Sequence, residues 1–171
     1  MKNYIGVKEI KARPMNRADY NIYRGWKLPD DEDGADEGFL VEYIDGGKSN
    51  HPSHEGYISW SPKDIFERAY RETAGLTFGL AIEAMKLGKK VARAGWNGKD
   101  MYVVMMPALQ LPPHNTQEPG AKVNDRTAKF IGDDQPLNCQ PYCAMFNAQK
   151  EWIPGWLASQ SDMLSEDWFI V

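Results

Sequence analysis

Residues 76–106 read LTFGLAIEAMKLGKKVARAGWNGKDMYVVMM, and this stretch decides the fold of the second half of the chain. Its first part predicts an amphipathic helix that begins after the cap Thr77. Phe78, Ile82 and Met85 recur at the spacing of one helical face, so this face is expected to pack against a sheet.

Two apolar segments follow this helix, which we expect to end at Gly88. Residues 91–94 and 101–106 have the composition of strands, and the turn between them contains Asn97 and Gly98. Both residues tolerate positive φ, so the pair is typical of a two-residue β-hairpin turn. The stretch therefore predicts a helix followed by a β-hairpin.

The rest of the second half predicts a small antiparallel sheet and one long loop. Polar residues precede a short helical turn at 163–165 and are expected to cap it. The segment 107–135 is rich in Pro, Gly, Asn and Asp, which favours a loop in which only 129–131 has the character of a strand. Further strands are predicted at 142–146, 151–153 and 168–171.

The first half predicts a separate module of mixed helix and strand. A helix is expected after the cap Asn16, and a second one after the cap Ser61, with Pro62 at its first helical position. Strands are predicted at 4–10, 39–44 and 56–60. Helical signals stop and restart near residues 73–75, so we expect two α+β domains, an accessory module at 1–73 and a second domain at 74–171.

The composition is that of a folded, soluble protein. Of 171 residues, 42% are hydrophobic and 26% charged, and no apolar stretch approaches the roughly 18–20 residues of a membrane span. The first residues lack the apolar core of a secretory signal, so we expect a cytoplasmic protein without a membrane partner. Six of the 24 acidic residues lie within 30–37, which leaves fewer acids than the 20 lysines and arginines elsewhere. The net charge of -4 therefore does not exclude an anionic ligand.

Catalytic and metal-binding patterns are sparse in this sequence. It has no phosphate-binding glycine loop, no Rossmann glycine motif, no zinc-protease motif and no nucleophile elbow. Cys139 and Cys143 lack the spacing of zinc or redox motifs and are expected to be reduced thiols. His51 and His54 lie in a turn-rich stretch without a neighbouring cysteine. We therefore expect neither a metal nor a cofactor.

Aromatic and small polar residues are dense in the second half. Four of the six tryptophans lie there, and Trp96 stands beside Asn97 in the predicted turn. Aromatic faces stack on nucleobases, while Arg93, Lys90 and Lys99 supply positive charge for phosphate. The pattern favours a nucleotide-like ligand. The alternative is that the tryptophans only form the core of a small sheet.

Three blocks of sequence carry a resemblance to a known family. They are LTFG at 76–79, GKKVARAGWNG at 88–98 and WLASQSDMLSEDW at 156–168. Together these blocks resemble the Thoeris anti-defence protein family, second type, which consists of small phage and prophage proteins. The resemblance covers residues 74–171, and it makes this segment the expected nucleotide-binding domain.

The resemblance implies a binding protein and not an enzyme. Members of the family capture cyclic ADP-ribose isomers made by TIR-domain enzymes, and some hold cyclic oligonucleotides, so the immune signal never reaches its effector. The implied fold is a small antiparallel sheet with a packed helix. The implied assembly is a homotetramer in the cytoplasm of the infected host, with pockets between protomers. No long nucleic acid is implied as a partner.

Carried over residue by residue, the resemblance implies a set of ligand contacts. Trp96 and Asn97 are expected to supply base stacking and a polar contact, and Arg93 is expected to meet phosphate. Asp167 and Trp168 also match the family, and for them we expect capping and core roles. The remaining expected ligand-binding residues are Met101, Trp156, Ser159, Asp162 and Met163.

Two other functions remain open on the sequence. One is an enzyme that degrades such a nucleotide, with His114 and Asp162 as its acid and base. The other is a structural or host-interaction protein of a phage, in which the tryptophans only pack.

Overall fold

The computed structural model describes residues 1–2 and 6–171, which form two compact units, Met1–Glu72 and Thr73–Val171. Each unit combines helices with an antiparallel sheet, so the predicted α+β class is confirmed. Part of the predicted first strand, Tyr4 and Ile5, lies outside the described residues. Val7 is not in a strand, and the first strand begins at Ile10. No helix in the described part of the chain has the length and apolarity needed to cross a bilayer.

The first unit contains a three-stranded antiparallel sheet and two helices. Asn16 caps the first helix by accepting a hydrogen bond from the Asp19 amide at 2.7 Å, as predicted. Tyr20 of this helix packs with Leu40 and Ile58 of the sheet in a small core. The elements are β1 (Ile10–Pro14), α1 (Arg17–Arg24), β2 (Gly38–Tyr43), β3 (Tyr57–Pro62) and α2 (Lys63–Ala69), with strand order β1-β2-β3.

The start of α2 differs from the prediction by one residue. Pro62 occupies the cap position instead of the first helical position, and α2 begins without a side-chain cap among the described residues. The hydroxyl of Ser61 instead donates to the Pro62 carbonyl at 3.4 Å. The physical reason is strand pairing: β3 stays paired with β2 as far as Pro62, opposite Gly38, so the helix can begin only afterwards.

The second unit is a five-stranded antiparallel sheet with one helix packed on it. Thr77 caps this helix by accepting a hydrogen bond from the Leu80 amide, and Gly88 follows its end with φ of 79°, both as predicted. The elements are α3 (Phe78–Lys86), β4 (Val91–Arg93), β5 (Tyr102–Met106), β8 (Tyr142–Phe146), β9 (Trp152–Pro154) and β10 (Trp168–Ile170). The order of the strands in the sheet is β10-β4-β5-β8-β9.

The core of the second unit lies between α3 and one face of the sheet. Val91, Val103 and Trp168 of the sheet are completely buried there, with Ala81 and Met85 of the helix. A fully buried aliphatic side chain contributes roughly 1.5–3 kcal/mol to folding. Because neighbouring residues of a strand point to opposite faces, Tyr102 and its cross-strand partner Phe146 lie on the other face of the sheet.

The turn between β4 and β5 is longer than the predicted two-residue hairpin. The strands pair only at Val91 and Val103, and the connection runs from residue 94 to 101. Positive φ occurs at Asp100, at 57°, and not at Asn97 or Gly98. After β4 the amides of residues 94 and 95 donate to the carbonyl and carboxylate oxygens of Asp167, which directly precedes β10, and do not pair with β5.

The segment 107–135 is not the long loop that its composition predicts. It contains a strand and a helix, and the predicted strand at 129–131 is wrong because these residues end the helix. Asn124 caps that helix by accepting a hydrogen bond from the Thr127 amide at 2.9 Å, a signal that outweighs the strand character of residues 129–131. The elements are β6 (Leu109–Leu111), α4 (Asp125–Ile131) and β7 (Leu137–Cys139), and β6 pairs with β7.

Candidate functional site

The guanidinium group of Arg93, at the end of β4, lies between two carboxylates. Its Nη1 donates to Asp162 Oδ1 at 2.7 Å, and its Nε donates to Asp167 Oδ1 at 2.8 Å. The Arg93 side chain is only 13% exposed. The hydrogen bonds that Arg93 donates to Asp167 and Asp162 raise the pKa of Arg93 above its ordinary value. The charge that the sequence assigns to phosphate is therefore balanced within the protein.

Asp162 is the centre of this network. Its Oδ1 also accepts the indole N–H of Trp96 at 3.0 Å, and its Oδ2 accepts the amide of Ser159 at 3.0 Å and the hydroxyl at 2.6 Å. Burial opposes ionisation, but the hydrogen bonds from Ser159, Arg93 and Trp96 outweigh it and lower the pKa of Asp162 to about 2. Asp162 is therefore a fixed anion at neutral pH.

Ser159 and Asp162 also define the last helix, α5 (Gln160–Met163). The Ser159 hydroxyl accepts a hydrogen bond from the Asp162 amide at 3.1 Å, and the Asp162 carboxylate accepts one from the Ser159 amide, which is a capping box. The helix thus begins before the predicted helical turn at 163–165, because this reciprocal pair sets its start at Gln160. The cap joins the closing segment of the chain to Arg93.

Three tryptophans pack edge to face beside the carboxylates. The ring centre of Trp96 lies 5.3 Å from that of Trp168 and 6.0 Å from that of Trp156. Trp168 is completely buried, as predicted, and its indole N–H donates to the Asp162 carbonyl at 2.9 Å. Trp96 and Trp156 are only half-buried, so each packs on the core and also reaches the surface.

The other predicted contacts divide between surface and core. Asn97 and Met163 are exposed, and Met101 packs against the core beneath Gly98, where an added Cβ would lie 2.0 Å from the Met101 sulfur. Leu157 and Leu164 flank the network in sequence and are 87% and 81% exposed. The structure thus joins Arg93, Trp96, Ser159 and Asp162 directly by hydrogen bonds.

A second aromatic surface was missed by the sequence analysis. Tyr102, Phe146 and Trp152 form a cluster on the sheet face opposite α3, which we call the aromatic platform. Tyr102 and Phe146 stack with ring centres 5.1 Å apart, and Trp152, which is 46% exposed, meets both rings at 5.8 and 5.3 Å. Lys90 Nζ lies 4.6 Å from the Tyr102 ring centre, and Lys150 Nζ lies 6.0 Å from that of Phe146.

The sequence carries a faint signal of this platform. Strands β5 and β8 read as continuous apolar runs, so they predict buried strands without showing which residues share a face. Because side chains alternate between the two faces of a strand, Tyr102 must point to the face opposite that of the buried Val103. The pairing of Phe146 with Trp152 depends on the register of β8 and β9, which no pattern in the sequence indicates.

His114 and the two cysteines lie outside the hydrogen-bond network around Asp162 in the described part of the chain. His114 hydrogen-bonds the Val123 carbonyl through Nδ1 at 3.0 Å, and within the described part of the chain no hydrogen bond links it to Asp162. Cys139 and Cys143 are free thiols, and burial raises the pKa of Cys143. Among residues 1–2 and 6–171, no group of three or more His, Cys, Asp or Glu side chains is arranged to hold a metal ion.

In the first unit, His54 links two partners through its ring nitrogens. Nδ1 lies 2.9 Å from Glu42 Oε2, and Nε2 lies 2.9 Å from the Tyr23 hydroxyl. Hydrogen bonds from the Gly56 amide and from His54 lower the pKa of Glu42 to about 2. This network ties the segment after β2 to α1.

The first unit also contains an acidic cleft of about 480 Å³. Its Lys63 is paired with Glu37 at 2.7 Å. The remaining carboxylates repel an anionic ligand, so this cleft does not suit a nucleotide. The lining residues are Asp36, Glu37, Trp60, Pro62, Lys63, Asp64 and Glu67.

Comparison with known proteins identifies relatives of the second unit. The family model described as "Thoeris anti-defense 2-like domain" matches residues 76–171. The protein named "Thoeris anti-defense 2" of Bacillus phage SP01 is 30% identical over 96 residues, which cover 56% of this chain and 94% of that protein. The match begins just before α3 and includes both the carboxylate network and the aromatic platform.

Proposed function

The chain belongs to the Thoeris anti-defense 2-like family, and from this premise we propose that it is a phage anti-defence protein that sequesters a cyclic nucleotide immune signal. The proposed ligand is a cyclic ADP-ribose isomer made by a TIR-domain enzyme, or a related cyclic nucleotide. The ligand is held intact, in the cytoplasm of the infected host. The observation that carries this proposal is the match over the whole second unit, supported by the network around Trp96 and Asp162.

A sequestering protein gains affinity from a site that is rigid before the ligand arrives. Trp96 meets this requirement because its indole is fixed by Asp162 and by the edges of Trp156 and Trp168. The exposed Asn97, next to this ring, offers an amide for a ribose hydroxyl or a base edge. We therefore propose Trp96 and Asn97 as ligand contacts, with Met101, Trp156, Ser159 and Met163 as supporting residues.

Arg93 and Asp162 have a different role in this proposal. Because each already has charged or polar partners inside the protein, they position Trp96 and do not themselves neutralise phosphate. The exposed cations of the same unit include Lys90, beside the aromatic platform, and Lys99, in the β4–β5 connection. We assign the phosphate charge to these lysines, which bind it as point charges.

Binding without cleavage agrees with the chemistry of Asp162. A carboxylate with a pKa of about 2 keeps its charge at neutral pH, so it is a poor general acid. Its oxygens accept hydrogen bonds from Arg93, Trp96 and Ser159, which makes it a poor general base as well. These contacts favour sequestration over the degrading enzyme with His114 and Asp162.

We further propose that the protein assembles as a homotetramer. Leu157, Met163 and Leu164 are 87%, 46% and 81% exposed in one short segment around α5. Clustered exposed apolar side chains of this kind are typical of protein interfaces. A neighbouring protomer on this segment encloses a pocket beside Trp96, so oligomerisation and ligand binding use the same surface.

The proposal is tested by a thermal-shift screen of the full chain. The ligands are cyclic ADP-ribose isomers, cyclic dinucleotides and cyclic trinucleotides, with linear ADP-ribose as the control. A bound ligand raises Tm by mass action, and a concentration of about 100 times Kd adds about 2.7 kcal/mol to the stability of the bound state. An unchanged Tm with every cyclic nucleotide contradicts the proposal.

A further inference from the structure

The asparagine of the β4–β5 connection differs chemically from the others in the chain. Asn97 is the only asparagine followed by glycine in the sequence. Its side chain is exposed, and within the described part of the chain neither its amide nor the Gly98 N–H has a hydrogen-bond partner. In contrast, Asn147, in another turn between strands, accepts the Glu151 amide at 2.9 Å.

We propose that Asn97 is a site of spontaneous deamidation, a covalent modification that needs no enzyme. The deprotonated Gly98 backbone nitrogen attacks Asn97 Cγ, the bond from Cγ to Nδ2 breaks, and ammonia leaves with the proton. Water then opens the cyclic imide at either carbonyl, which gives aspartate or isoaspartate. Glycine favours this step, because without a Cβ its backbone can reach the required conformation at little steric cost.

The local structure leaves this reaction unprotected. Asn16, Asn124 and Asn147 each accept a backbone N–H through the side-chain oxygen, which holds the amide away from the following nitrogen. Asn97 lies in an irregular connection of residues 94–101, and only Val91 and Val103 pair the strands that it joins. A Cβ at Gly98 would lie 2.0 Å from the Met101 sulfur, so exchange of Gly98 for a slower partner requires the Met101 side chain to move.

The modification changes the surface proposed to bind the ligand, and this consequence rests on the proposed function. Deamidation replaces an uncharged amide donor by a carboxylate beside Trp96, close in sequence to Asp100. The new charge repels phosphate and can no longer donate a hydrogen bond. We expect the modified protein to bind a cyclic ADP-ribose isomer roughly tenfold more weakly or worse. The age of the protein then limits how long it sequesters signal.

The test follows the Asn97 amide by mass spectrometry of peptides from the full chain, incubated at mildly alkaline pH and physiological temperature. The expected result is conversion of Asn97 to aspartate and isoaspartate while Asn147, in the same sample, keeps its amide. A synthetic peptide of residues 95–99 reports the rate without the fold. Retention of the Asn97 amide, at the level of Asn147, while the peptide converts overturns the inference.

Two variants separate the modification from the proposed function. Asn97→Gln removes the rapid reaction and should keep its affinity constant during incubation, whereas Asn97→Asp should bind as weakly as the fraction of aged protein that carries aspartate. If freshly prepared protein binds no cyclic nucleotide, the proposed function fails while the mass measurement still decides the modification. If fresh protein binds and the aged Asn97 stays unmodified, only the modification is refuted.

Discussion

The indole N–H of Trp96 donates to Asp162 Oδ1 at 3.0 Å, a hydrogen bond that joins residues 66 positions apart in sequence. This hydrogen bond joins the segment between β4 and β5 to the capping box of α5. Arg93 lies between the same carboxylate and Asp167, so two of the three sequence blocks that carry the family resemblance, 88–98 and 156–168, meet in one network. The predictions below follow from this network and from the aromatic platform.

Asp162→Asn should destabilise the protein, because Arg93 loses one of its two carboxylates in a site where both side chains are about nine-tenths buried. The free energy of unfolding should fall by roughly 2–3 kcal/mol, measured by urea denaturation followed by near-UV circular dichroism. Asp100→Asn is the control, because the Asp100–Lys150 pair is 77% and 55% exposed. Because water screens this exposed pair, its effect should be much smaller than that of Asp162→Asn. Equal losses in the two variants contradict this role of Asp162.

Stability should fall at acidic pH through the titration of Asp162. Its pKa in the folded protein, about 2, lies below the ordinary value of 3.8, so its stabilising effect is complete above the unfolded pKa. The effect is lost as the pH falls from about 5 towards 2, and it amounts to about 2 kcal/mol. The Tm values of the protein and of Asp162→Asn, measured over this pH range, should therefore converge. If the two plots of Tm against pH stay parallel, Asp162 is not the group responsible, since Glu42 titrates in both proteins.

Trp96→Phe should weaken ligand binding more than it weakens the fold. Phenylalanine keeps a ring between Trp156 and Trp168 but loses the hydrogen bond to Asp162, which costs roughly 1 kcal/mol of stability. Without that bond the ring is no longer fixed, and affinity for the cyclic ADP-ribose isomer should fall by about tenfold or more. Calorimetric titration measures the affinity. A loss of stability with unchanged affinity means that Trp96 only packs.

Trp152→Ala tests whether the aromatic platform contacts ligand. Trp152 is 46% exposed at a sheet edge, so its removal should change Tm little. If a base stacks on it, affinity should fall by roughly tenfold, as stacking contributes about 1–3 kcal/mol per base. Phe130→Ala is the matched control, because that aromatic ring is 87% exposed on α4, outside the platform. If Trp152→Ala and Phe130→Ala bind the ligand with equal affinity, the aromatic platform does not contact the ligand.

The sequence predicted local elements better than contacts between distant residues. Thr77 and Asn16 carry their capping signal within one turn, so α3 and α1 were located correctly. In contrast, the contacts of Arg93 with Asp162 and Asp167 span 69 and 74 positions, and no local pattern distinguishes a paired arginine from one that meets phosphate. The sequence therefore predicts a phosphate contact for Arg93 without showing the two carboxylates to which it donates.

The errors in secondary structure have a similar cause. The Asn97-Gly98 pair favours a tight turn, but the amides of residues 94 and 95 donate to the distant Asp167, and the connection to β5 runs from residue 94 to 101. Residues 129–131 look like a strand only until the cap at Asn124 is counted. In both places a contact outside the short window decided the conformation.

The most direct test of sequestration is recovery of the ligand. The full-length protein is incubated with a cyclic ADP-ribose isomer, freed of unbound ligand by filtration and heated until it unfolds, and the released material is analysed by liquid chromatography and mass spectrometry. Our account predicts stoichiometric release of the intact cyclic nucleotide, and little retention by Trp96→Phe. Release of a linear or cleaved product, or no retention by the unmodified protein, contradicts it.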